Sequence, residues 1–428
     1  SQVTRRHFSG GRYHVTMLAE AMAAFCDEVV VWANNMPPWS GDLGFCPDHG
    51  KVRYVINNHI DGVDGRFDYV VMAPDGAPVP TVPLRALEVA RQSNARTAFL
   101  NFESPNWFNA LSPTPKKLAD FGNWFAAACF SDVILSSCET ALPFARSFYK
   151  TLFHEPVFAV APPSINAPIA DLVLGRNLPR EKQIILISRF GDASAHKNID
   201  AIFDLLVPEM SGYTLALIAG TSDLPSAATL IDFESRLAER GLTLKLLHMI
   251  SDRRKFEEIA KSELMIFPSL FEGFGYPPVE AGYMGTPCVA YDLPALTEFS
   301  GDSGYFAPWG DVAALREKIS HLLTLPFEQR VRTADPQVRR TATIAAFSES
   351  LRRILVEKDT GGRAAANFSA ERFELAAKVY VDGCLEPRLT YGLLSRSEVG
   401  ELAERYRAYN RVIEESLSRL RALSGAPA

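Results

Sequence analysis

Residues 263–281 read ELMIFPSLFEGFGYPPVEA, and this stretch decides the fold class. Residues 264–267 are a short, continuously apolar run, which is typical of a strand buried on both faces of a parallel sheet. Gly273 and Gly275 permit a tight turn, and the Pro-Pro pair after them suits the first turn of a helix. The stretch therefore predicts a buried strand, a glycine turn and a helix, as in doubly wound α/β domains.

The same strand-then-helix pattern recurs along most of the chain. The ten predicted strands are residues 28–33, 68–73, 97–102, 132–136, 157–161, 183–188, 214–219, 244–248, 264–267 and 287–291. Because ten strands exceed one comfortable sheet, we predict two doubly wound Rossmann-like domains of the α/β class with a cleft between them.

The domain boundaries follow from composition. Pro and Asn are concentrated in residues 161–179, so we predict a Rossmann-like domain over residues 1–165 and a second over residues 166–370. The first domain needs a strand before Ser9, and only residues 1–4 are available for it. A very short strand and a trimmed amino terminus both remain open.

The carboxyl-terminal residues 371–428 are predicted to be helical. Within them, residues 397–424 place apolar side chains at a spacing of three and four, interrupted at Ser416. This pattern predicts a long amphipathic helix. A single helix packed along the body and a homo-oligomer formed through this helix both fit the pattern.

Composition and charge exclude several classes of protein. The 428 residues carry 44 Lys and Arg against 50 Asp and Glu, a net charge of −6, and show no basic stripe of the kind that binds nucleic acid. The six cysteines are scattered without a C-x-x-C pair, which indicates free thiols and no zinc site. With no apolar run of membrane-spanning length and no evident signal peptide, we expect a cytoplasmic protein.

Two cationic side chains mark a candidate anion site. Arg189 ends a predicted strand, and Lys197 is expected to open a helix whose free N–H groups and dipole favour an anion. Arg offers a planar fork and Lys a compact charge, so the pair suits a diphosphate. The alternative is a surface pair that caps a loop.

Two carboxylates flank the glycine turn. Glu272 and Glu280 can accept hydrogen bonds from the paired hydroxyls of a sugar or a ribose, while the N–H groups of residues 274–276 face the carboxyl end of the sheet. A capping glutamate is the alternative for Glu280. Gly10 and Gly11 precede another predicted helix and give a weak phosphate-loop signal, without the G-x-G-x-x-G of a dinucleotide site.

Taken in order, these stretches resemble the retaining glycosyltransferases of family 4, which have the GT-B fold. EGFGYPPVEA at residues 272–281 resembles that family's E-x7-E signature. Further resembling stretches are SGGRYHVTMLA at 9–19, FSDVILSS at 130–137, SRF at 188–190 with KN at 197–198, GTPCVA at 285–290, and GDSG at 301–304 with PWGD at 308–311. The resemblance covers residues 5–375 and is most specific over 263–311.

The resemblance implies a nucleotide-sugar donor, linked to UDP or GDP, held mainly by the second domain. Arg189 and Lys197 would hold the diphosphate and stabilise the leaving nucleotide, Glu272 would position the donor sugar, and Glu280 would bind the ribose. It assigns catalytic roles to Arg189, Lys197 and Glu272, and donor-binding roles to Gly10, Gly11, Ile250, Gly273, Phe274, Gly275, Tyr276 and Glu280.

The implied activity is transfer of the sugar to a saccharide or lipid-linked saccharide acceptor with retention of configuration, in the synthesis of surface polysaccharide or glycoconjugate. No cofactor and no metal are expected. Members of the family often dock transiently on membranes, so the inner membrane face is a compatible location for this cytoplasmic chain.

The sequence departs from the family in residues 99–108, FLNFESPNWF, where many members carry a His near the donor sugar. Asn101 or Glu103 could replace it, or Glu103 could cap a turn. His59 is another candidate, and a solvated loop residue is its alternative. Trp107 could form an acceptor platform or anchor its loop in the core; Trp32, Trp39 and Phe108 share this choice. Arg12, Lys116 and Lys117 could meet an anionic acceptor or be solvated.

Two other functions compete with transfer. A nucleotide-sugar epimerase or hydrolase would need an acidic or His pair at the sugar, and no motif specific for it is present. A non-catalytic GT-B scaffold subunit would use the heptad helix for assembly, but the intact Arg189, Lys197, Glu272 and Glu280 argue against lost catalysis.

Overall fold

The computed structural model describes eleven segments of the chain, to which every structural statement refers. They are residues 10–33, 50–56, 65–74, 80–149, 154–190, 192–219, 224–248, 250–300, 304–330, 335–358 and 363–385. The chain divides into two compact units. The first unit combines Ser1–Asn58 with Pro162–Arg352, and the second combines His59–Ala161 with Arg353–Ala428. The domain boundaries expected from composition stay predictions.

Twelve strands lie in the described segments. They are β1 (Val29–Ala33), β2 (Val52–Ile56), β3 (Tyr69–Met72), β4 (Arg96–Asn101), β5 (Val133–Ser136), β6 (Val157–Val160), β7 (Glu181–Ser188), β8 (Thr214–Ala219), β9 (Thr243–His248), β10 (Ser262–Phe267), β11 (Cys288–Tyr291) and β12 (Gly304–Ala307). All ten predicted strands are confirmed to within two residues. The two that were missed are β2, interrupted by Arg53, and β12, which is short and begins with glycine.

Fifteen α-helices lie in the same segments. They are α1 (Gly10–Ala23), α2 (Thr81–Ser93), α3 (Pro105–Leu111), α4 (Gly122–Ala128), α5 (Ala141–Phe148), α6 (Ala167–Leu174), α7 (Ala227–Ala238), α8 (Asp252–Lys261), α9 (Tyr276–Tyr283), α10 (Pro294–Thr297), α11 (Val312–Thr324), α12 (Phe327–Arg330), α13 (Pro336–Thr341), α14 (Ile344–Arg352) and α15 (Ala370–Leu385). None of these described helices is long and apolar enough to cross a membrane.

The first unit is built on a six-stranded sheet in which every neighbouring pair is parallel. The strand order is β12-β11-β10-β7-β8-β9, so the direction of winding reverses between β7 and β10. This is the doubly wound order, and ligands of such sheets bind beyond the carboxyl ends of the strands at the point of reversal. Strands β1 and β2 of the same unit form a separate parallel pair.

The second unit contains a four-stranded parallel sheet in the order β3-β4-β5-β6. An aromatic core covers it, in which Phe125 stacks on Tyr380 and Phe130 packs edge-on against Phe368. Asp132 ties the start of β5 to β4 through the Thr97 N–H at 2.7 Å. The central strands β4 and β5 are buried on both faces, as their apolar sequence predicts, whereas the edge strands β3 and β6 are mostly half-buried.

Several predictions fall outside the described residues. These are the strand expected within residues 1–4, the heptad helix over residues 397–424, His59 and Trp39. No disulfide links the described cysteines Cys26, Cys129, Cys138 and Cys288.

Candidate functional site

The candidate site lies at the winding reversal of the six-stranded sheet. Strand β7 ends at Ser188 and β10 ends at Phe267, and these two strands are parallel neighbours. Arg189 and the loop from Pro268 onward therefore leave the sheet side by side at its carboxyl edge. The sequence stretches that suggested a phosphate site and a sugar site meet at this edge.

Lys197 and Glu272 form an ion pair across the two loops. The Lys197 Nζ donates to Glu272 Oε1 at 2.6 Å, with the side chains 17% and 9% exposed. The Leu270 N–H donates to the His196 carbonyl at 2.7 Å and fixes the loops to each other. Lys197 is thus largely buried and is paired with a carboxylate from the neighbouring loop.

The prediction that a helix opens at Lys197 is wrong. Lys197 is instead the last residue of a 3-10 helix, Asp192–Lys197, and a second 3-10 helix follows at Ile199–Phe203. The break occurs at Asn198, which adopts a left-handed conformation with φ of 50° and donates its side-chain amide to the Pro268 carbonyl at 3.3 Å. Lys197 therefore places an ammonium group at this edge without the dipole of an α-helix behind it.

Arg189 is the second cation at this edge. It is half-buried and follows β7 directly. Among the described residues it has no hydrogen-bond or ion-pair partner. A guanidinium group that is held at a sheet edge without a carboxylate partner can accept an anionic ligand without first breaking an internal pair.

The glycine turn has the geometry that its sequence predicts. Gly275 precedes α9 with φ of +86°, and a Cβ at this position would lie 2.0 Å from Leu296 Cδ2. Both steric conditions require glycine. Phe274 is buried against Phe299, whereas Gly273 remains half-buried. Trp309 supports the loop from behind, because its Nε1 donates to the Leu270 carbonyl at 3.0 Å.

Glu280 lies within α9 and is only 2% exposed. Its Oε1 accepts from Lys255 Nζ at 2.6 Å, and Lys255 also pairs with Asp252 at 3.0 Å. Burial raises the pKa of the Glu280 carboxyl to about 7, against the opposing effect of Lys255. Glu280 is bound to a side chain and sits inside the helix, so it is not the capping glutamate that the sequence left open.

Helix α1 brings the predicted Gly-Gly loop to α9. It begins at Gly10, so the Gly-Gly pair lies in its first turn and not before it as predicted, and a Cβ on Gly10 would lie 3.8 Å from the Tyr276 ring. Tyr13 packs edge-on against Tyr276 with ring centroids 5.0 Å apart. Its hydroxyl accepts from the Asn166 N–H at 2.8 Å. The start of α1 therefore lies beside the start of α9. This brings together Gly10, Gly11 and Tyr276, which were predicted from distant stretches of the sequence.

The Tyr276 hydroxyl is a further feature of this place. The oxygen is buried and has no hydrogen-bond partner among the described residues. Burial raises the pKa of this phenol well above its usual value, so it stays a neutral donor at pH 7. Because this hydroxyl makes no internal hydrogen bond, it can donate one to a ligand without first breaking a contact. Ile250 lies half-buried between β9 and α8.

The acceptor candidates belong to the second unit. Asn101, at the end of β4, is buried; its amide donates to Ser136 Oγ at 3.1 Å. Glu103 is ion-paired with Lys116, whose ammonium lies 4.1 Å from the centre of the Phe108 ring. Trp107 is 3% exposed and stacks on a neighbouring phenylalanine, which favours the core-anchor interpretation over an acceptor platform.

Two further candidates, one charged and one aromatic, differ in their exposure. Lys117 is exposed, as a solvated charge would be, and Trp32 is half-buried on β1. No group of three His, Cys, Asp or Glu side chains that could hold a metal occurs in the described segments. The expectation of a metal-independent reaction stays a prediction.

Sequence reasoning missed the residues around Glu280. Asp252 and Lys255 are three apart at the start of α8, a spacing that places them on one helix face. That spacing was the available signal. The partner Glu280 is 25 residues further along the chain, and Tyr13 comes from the opposite end of the unit, so no local pattern could join them.

The part of the chain that carries this site is similar to known proteins. Residues 181–325 match the family model described as "Glycosyl transferases group 1". The MMP alpha-(1->4)-mannosyltransferase of Mycolicibacterium hassiacum is 35% identical over 120 residues, which are 27% of this chain and 29% of that protein. The O-antigen chain mannosyltransferase RfbU of Salmonella typhimurium is 24% identical over 136 residues, or 32% of this chain and 38% of that protein. The chain thus spans less than two fifths of either relative.

Solved structures are similar over most of the chain. Sucrose-phosphate synthase from Thermosynechococcus elongatus has a TM-score of 0.58 at 16% identity and covers 81% of this chain and 92% of its own. HepE of Anabaena, in complex with UDP and glucose, has a TM-score of 0.55 at 14% identity. The match covers 82% of this chain and 96% of HepE. WaaG, a glycosyltransferase involved in lipopolysaccharide biosynthesis, has a TM-score of 0.51 at 14% identity. The match covers 82% of this chain and 97% of WaaG. These likenesses confirm the predicted GT-B fold.

Proposed function

We propose that this chain is a retaining glycosyltransferase that moves a hexose from a UDP- or GDP-sugar to a saccharide or lipid-linked saccharide. The observation that carries the proposal is the Lys197–Glu272 pair at the winding reversal, inside the segment that matches the group 1 glycosyltransferases. A cation for the diphosphate and a carboxylate for the sugar stand there within hydrogen-bond distance of each other.

The cations would drive departure of the nucleotide. As the bond between the anomeric carbon and the phosphate oxygen breaks, negative charge collects on the diphosphate, and Arg189 and Lys197 stabilise it. Cationic side chains in these positions make a metal chemically unnecessary. Donor binding would draw Lys197 partly away from Glu272, which frees that carboxylate for the sugar hydroxyls.

The acceptor hydroxyl would attack from the face that the nucleotide leaves. The new bond joins the acceptor oxygen to the anomeric carbon, and the acceptor proton passes to the leaving phosphate. Configuration is retained because both events occur on one face. This route needs no protein nucleophile and assigns no protein base.

The remaining contacts would hold the donor. The N–H groups of residues 274–276 would meet the donor sugar or its phosphate, because the prolines that follow in the first turn of α9 carry no N–H. Glu280 would accept the ribose hydroxyls, and the segment at Ile250 would contact the base. Gly10 and Gly11 would approach the diphosphate from α1.

The relatives support the choice of donors to test. Two curated relatives are O-antigen chain and MMP mannosyltransferases, and the HepE complex contains UDP and glucose. GDP-mannose and UDP-glucose are therefore the first donors, and synthesis of surface polysaccharide or glycoconjugate is the proposed role.

The test is a transfer assay with purified protein in EDTA, using radiolabelled GDP-mannose or UDP-glucose with lipid-linked saccharide extracts. Label should enter the acceptor only with one donor base, and NMR of the product should show the anomeric configuration of the donor. An inverted product would contradict the retaining mechanism. Release of free sugar without any acceptor product would indicate a hydrolase.

A further inference from the structure

Lys255 is a buried cation that the proposed donor contacts do not use. Its ammonium lies 2.6 Å from Glu280 Oε1 and 3.0 Å from Asp252 Oδ1, and the side chain is 15% exposed. It also lies 4.9 Å from the ring centres of Tyr13 and Phe256. Lysine is rarely buried without a partner, and two carboxylates and two aromatic faces surround this one.

We propose that Lys255 and Asp252 are positioning residues for the donor: they fix the direction and the charge of the Glu280 carboxylate that receives the ribose. This inference rests on the proposed function, because it concerns the same donor site. Neither residue is assigned a contact with the donor itself.

The hydrogen bonds give Glu280 one orientation. Lys255 occupies Oε1, and the second oxygen, Oε2, has no partner among the described residues. Lys255 is itself held by Asp252, whose other oxygen accepts from the Asn166 side chain at 3.1 Å. A carboxylate fixed in this way loses little rotamer freedom when a ligand hydroxyl binds to its free oxygen.

The charges around Glu280 act in opposite directions. The groups that face it are Lys255 and Asp252 from α8, Tyr13 from α1 and Tyr276 from its own helix. Burial raises the pKa of Glu280, Asp252 raises it further, and Lys255 lowers it, with a result of about 7. Both tyrosines have raised pKa values and stay neutral at this pH.

This balance predicts opposite effects of two substitutions. Removing the Lys255 charge raises the pKa of Glu280, so that the carboxylate ionises only at higher pH. Removing the Asp252 charge lowers that pKa, so that the carboxylate stays ionised to lower pH. A purely structural role for either residue would weaken binding without moving the pH dependence.

The experiment is calorimetric titration of the full chain with GDP-mannose or UDP-glucose between pH 6 and 9. These donors carry no phosphate group that titrates in this range. With a Glu280 pKa of about 7, the ionised fraction falls roughly tenfold between pH 8 and pH 6, so wild-type affinity should fall about tenfold. Glu280→Gln should bind weakly at every pH with no such fall.

The variants decide the inference. Lys255→Met should shift the affinity curve to higher pH, Lys255→Arg should restore it, and Asp252→Asn should shift it to lower pH. Unshifted curves, shifts in one direction only, or an unchanged pH dependence in Glu280→Gln would overturn the inference. If Lys255→Met fails to fold, the sign of the Asp252→Asn shift carries the test.

Failure of the proposed function is separately visible. A wild-type chain that binds neither donor at any pH would overturn the donor site itself. A wild-type chain that binds a donor, with variants that keep its pH curve, would overturn only the positioning role of Lys255 and Asp252.

Discussion

Two lysine–glutamate pairs stand at the two ends of the E-x7-E stretch, and both have a contact of 2.6 Å. Lys197–Glu272 joins two loops at the open edge of the sheet. Lys255–Glu280 lies among helices α1, α8 and α9, with a second carboxylate and two aromatic rings around its lysine. Equal distances therefore conceal unequal surroundings.

The difference teaches which pair a ligand can exchange. At the sheet edge, the diphosphate of the proposed donor would replace Glu272 as the partner of Lys197. Phosphate and carboxylate oxygens compete there for the same ammonium group. In the interior, Lys255 pairs with both Asp252 and Glu280, so a phosphate would have to compete with two carboxylates for its ammonium group. In the proposed reaction, the first pair would exchange its partner, and the second would hold the Glu280 carboxylate in place.

The largest expected effect is on the exchangeable pair. Lys197→Ala or Glu272→Gln should lower kcat/KM by about 10²-fold or more, on the scale of roughly 3 kcal/mol for a charged transition-state contact. Steady-state transfer kinetics measure this. Lys245→Ala is the matched control, because it breaks a third pair of 2.6 Å, with Glu258, away from the winding reversal. A loss below about threefold in both site variants would contradict the assignment.

A second prediction concerns a cation with a structural role only. Arg180 donates to the Ser262 carbonyl and to Thr286 Oγ1, each at 2.5 Å, and to three further carbonyls near the ends of α8 and α9. Burial lowers its pKa to about 10. Arg180→Met should cost about 2–3 kcal/mol of unfolding free energy by leaving carbonyls unpaired, while donor Kd stays within about threefold.

Chemical denaturation and calorimetry on that one variant separate the two quantities. Loss of donor affinity at full stability would make Arg180 part of the site and remove the contrast with Lys197.

The glycine turn between the two pairs should give a smaller effect. Gly275→Ala puts a Cβ onto the Leu296 side chain and strains a positive φ, at about 1–2 kcal/mol. We expect about a tenfold loss in kcat/KM and a lower unfolding midpoint. Gly212→Ala is a suitable control, because the φ of Gly212 is also positive and a Cβ added there would meet no neighbouring atom within 4 Å. Equal effects of the two would attribute the loss to backbone strain alone.

The smallest effect is expected from the support behind the loop. Trp309→Phe removes one hydrogen bond to the Leu270 carbonyl, about 1 kcal/mol, and keeps an aromatic ring. The loss in kcat/KM should be about fivefold and should exceed any loss in donor affinity. An unchanged kcat would show that the loop keeps its place without this bond.

The sequence predicted the fold, and it marked the two loops that meet at the sheet edge, because both depend on local signals. Apolar runs marked ten strands, and Gly275 with the Pro-Pro pair marked the turn. The helix at Lys197 was wrong because Asn198 adopts a left-handed conformation, which the helical spacing of Ile199 and Ile202 did not reveal. The sequence alone could not predict the Lys255–Glu280 pair, because these two side chains meet only after α8 and α9 pack together.

The most direct test is nucleotide binding to wild type, Lys197→Ala and Lys245→Ala in EDTA, by thermal shift and calorimetry with UDP, GDP and ADP and their sugars. Wild type and Lys245→Ala should bind one nucleotide family, and Lys197→Ala should lose this binding. Lys197→Ala that binds as wild type does, or a wild type that binds none of them, would contradict a donor site at the winding reversal.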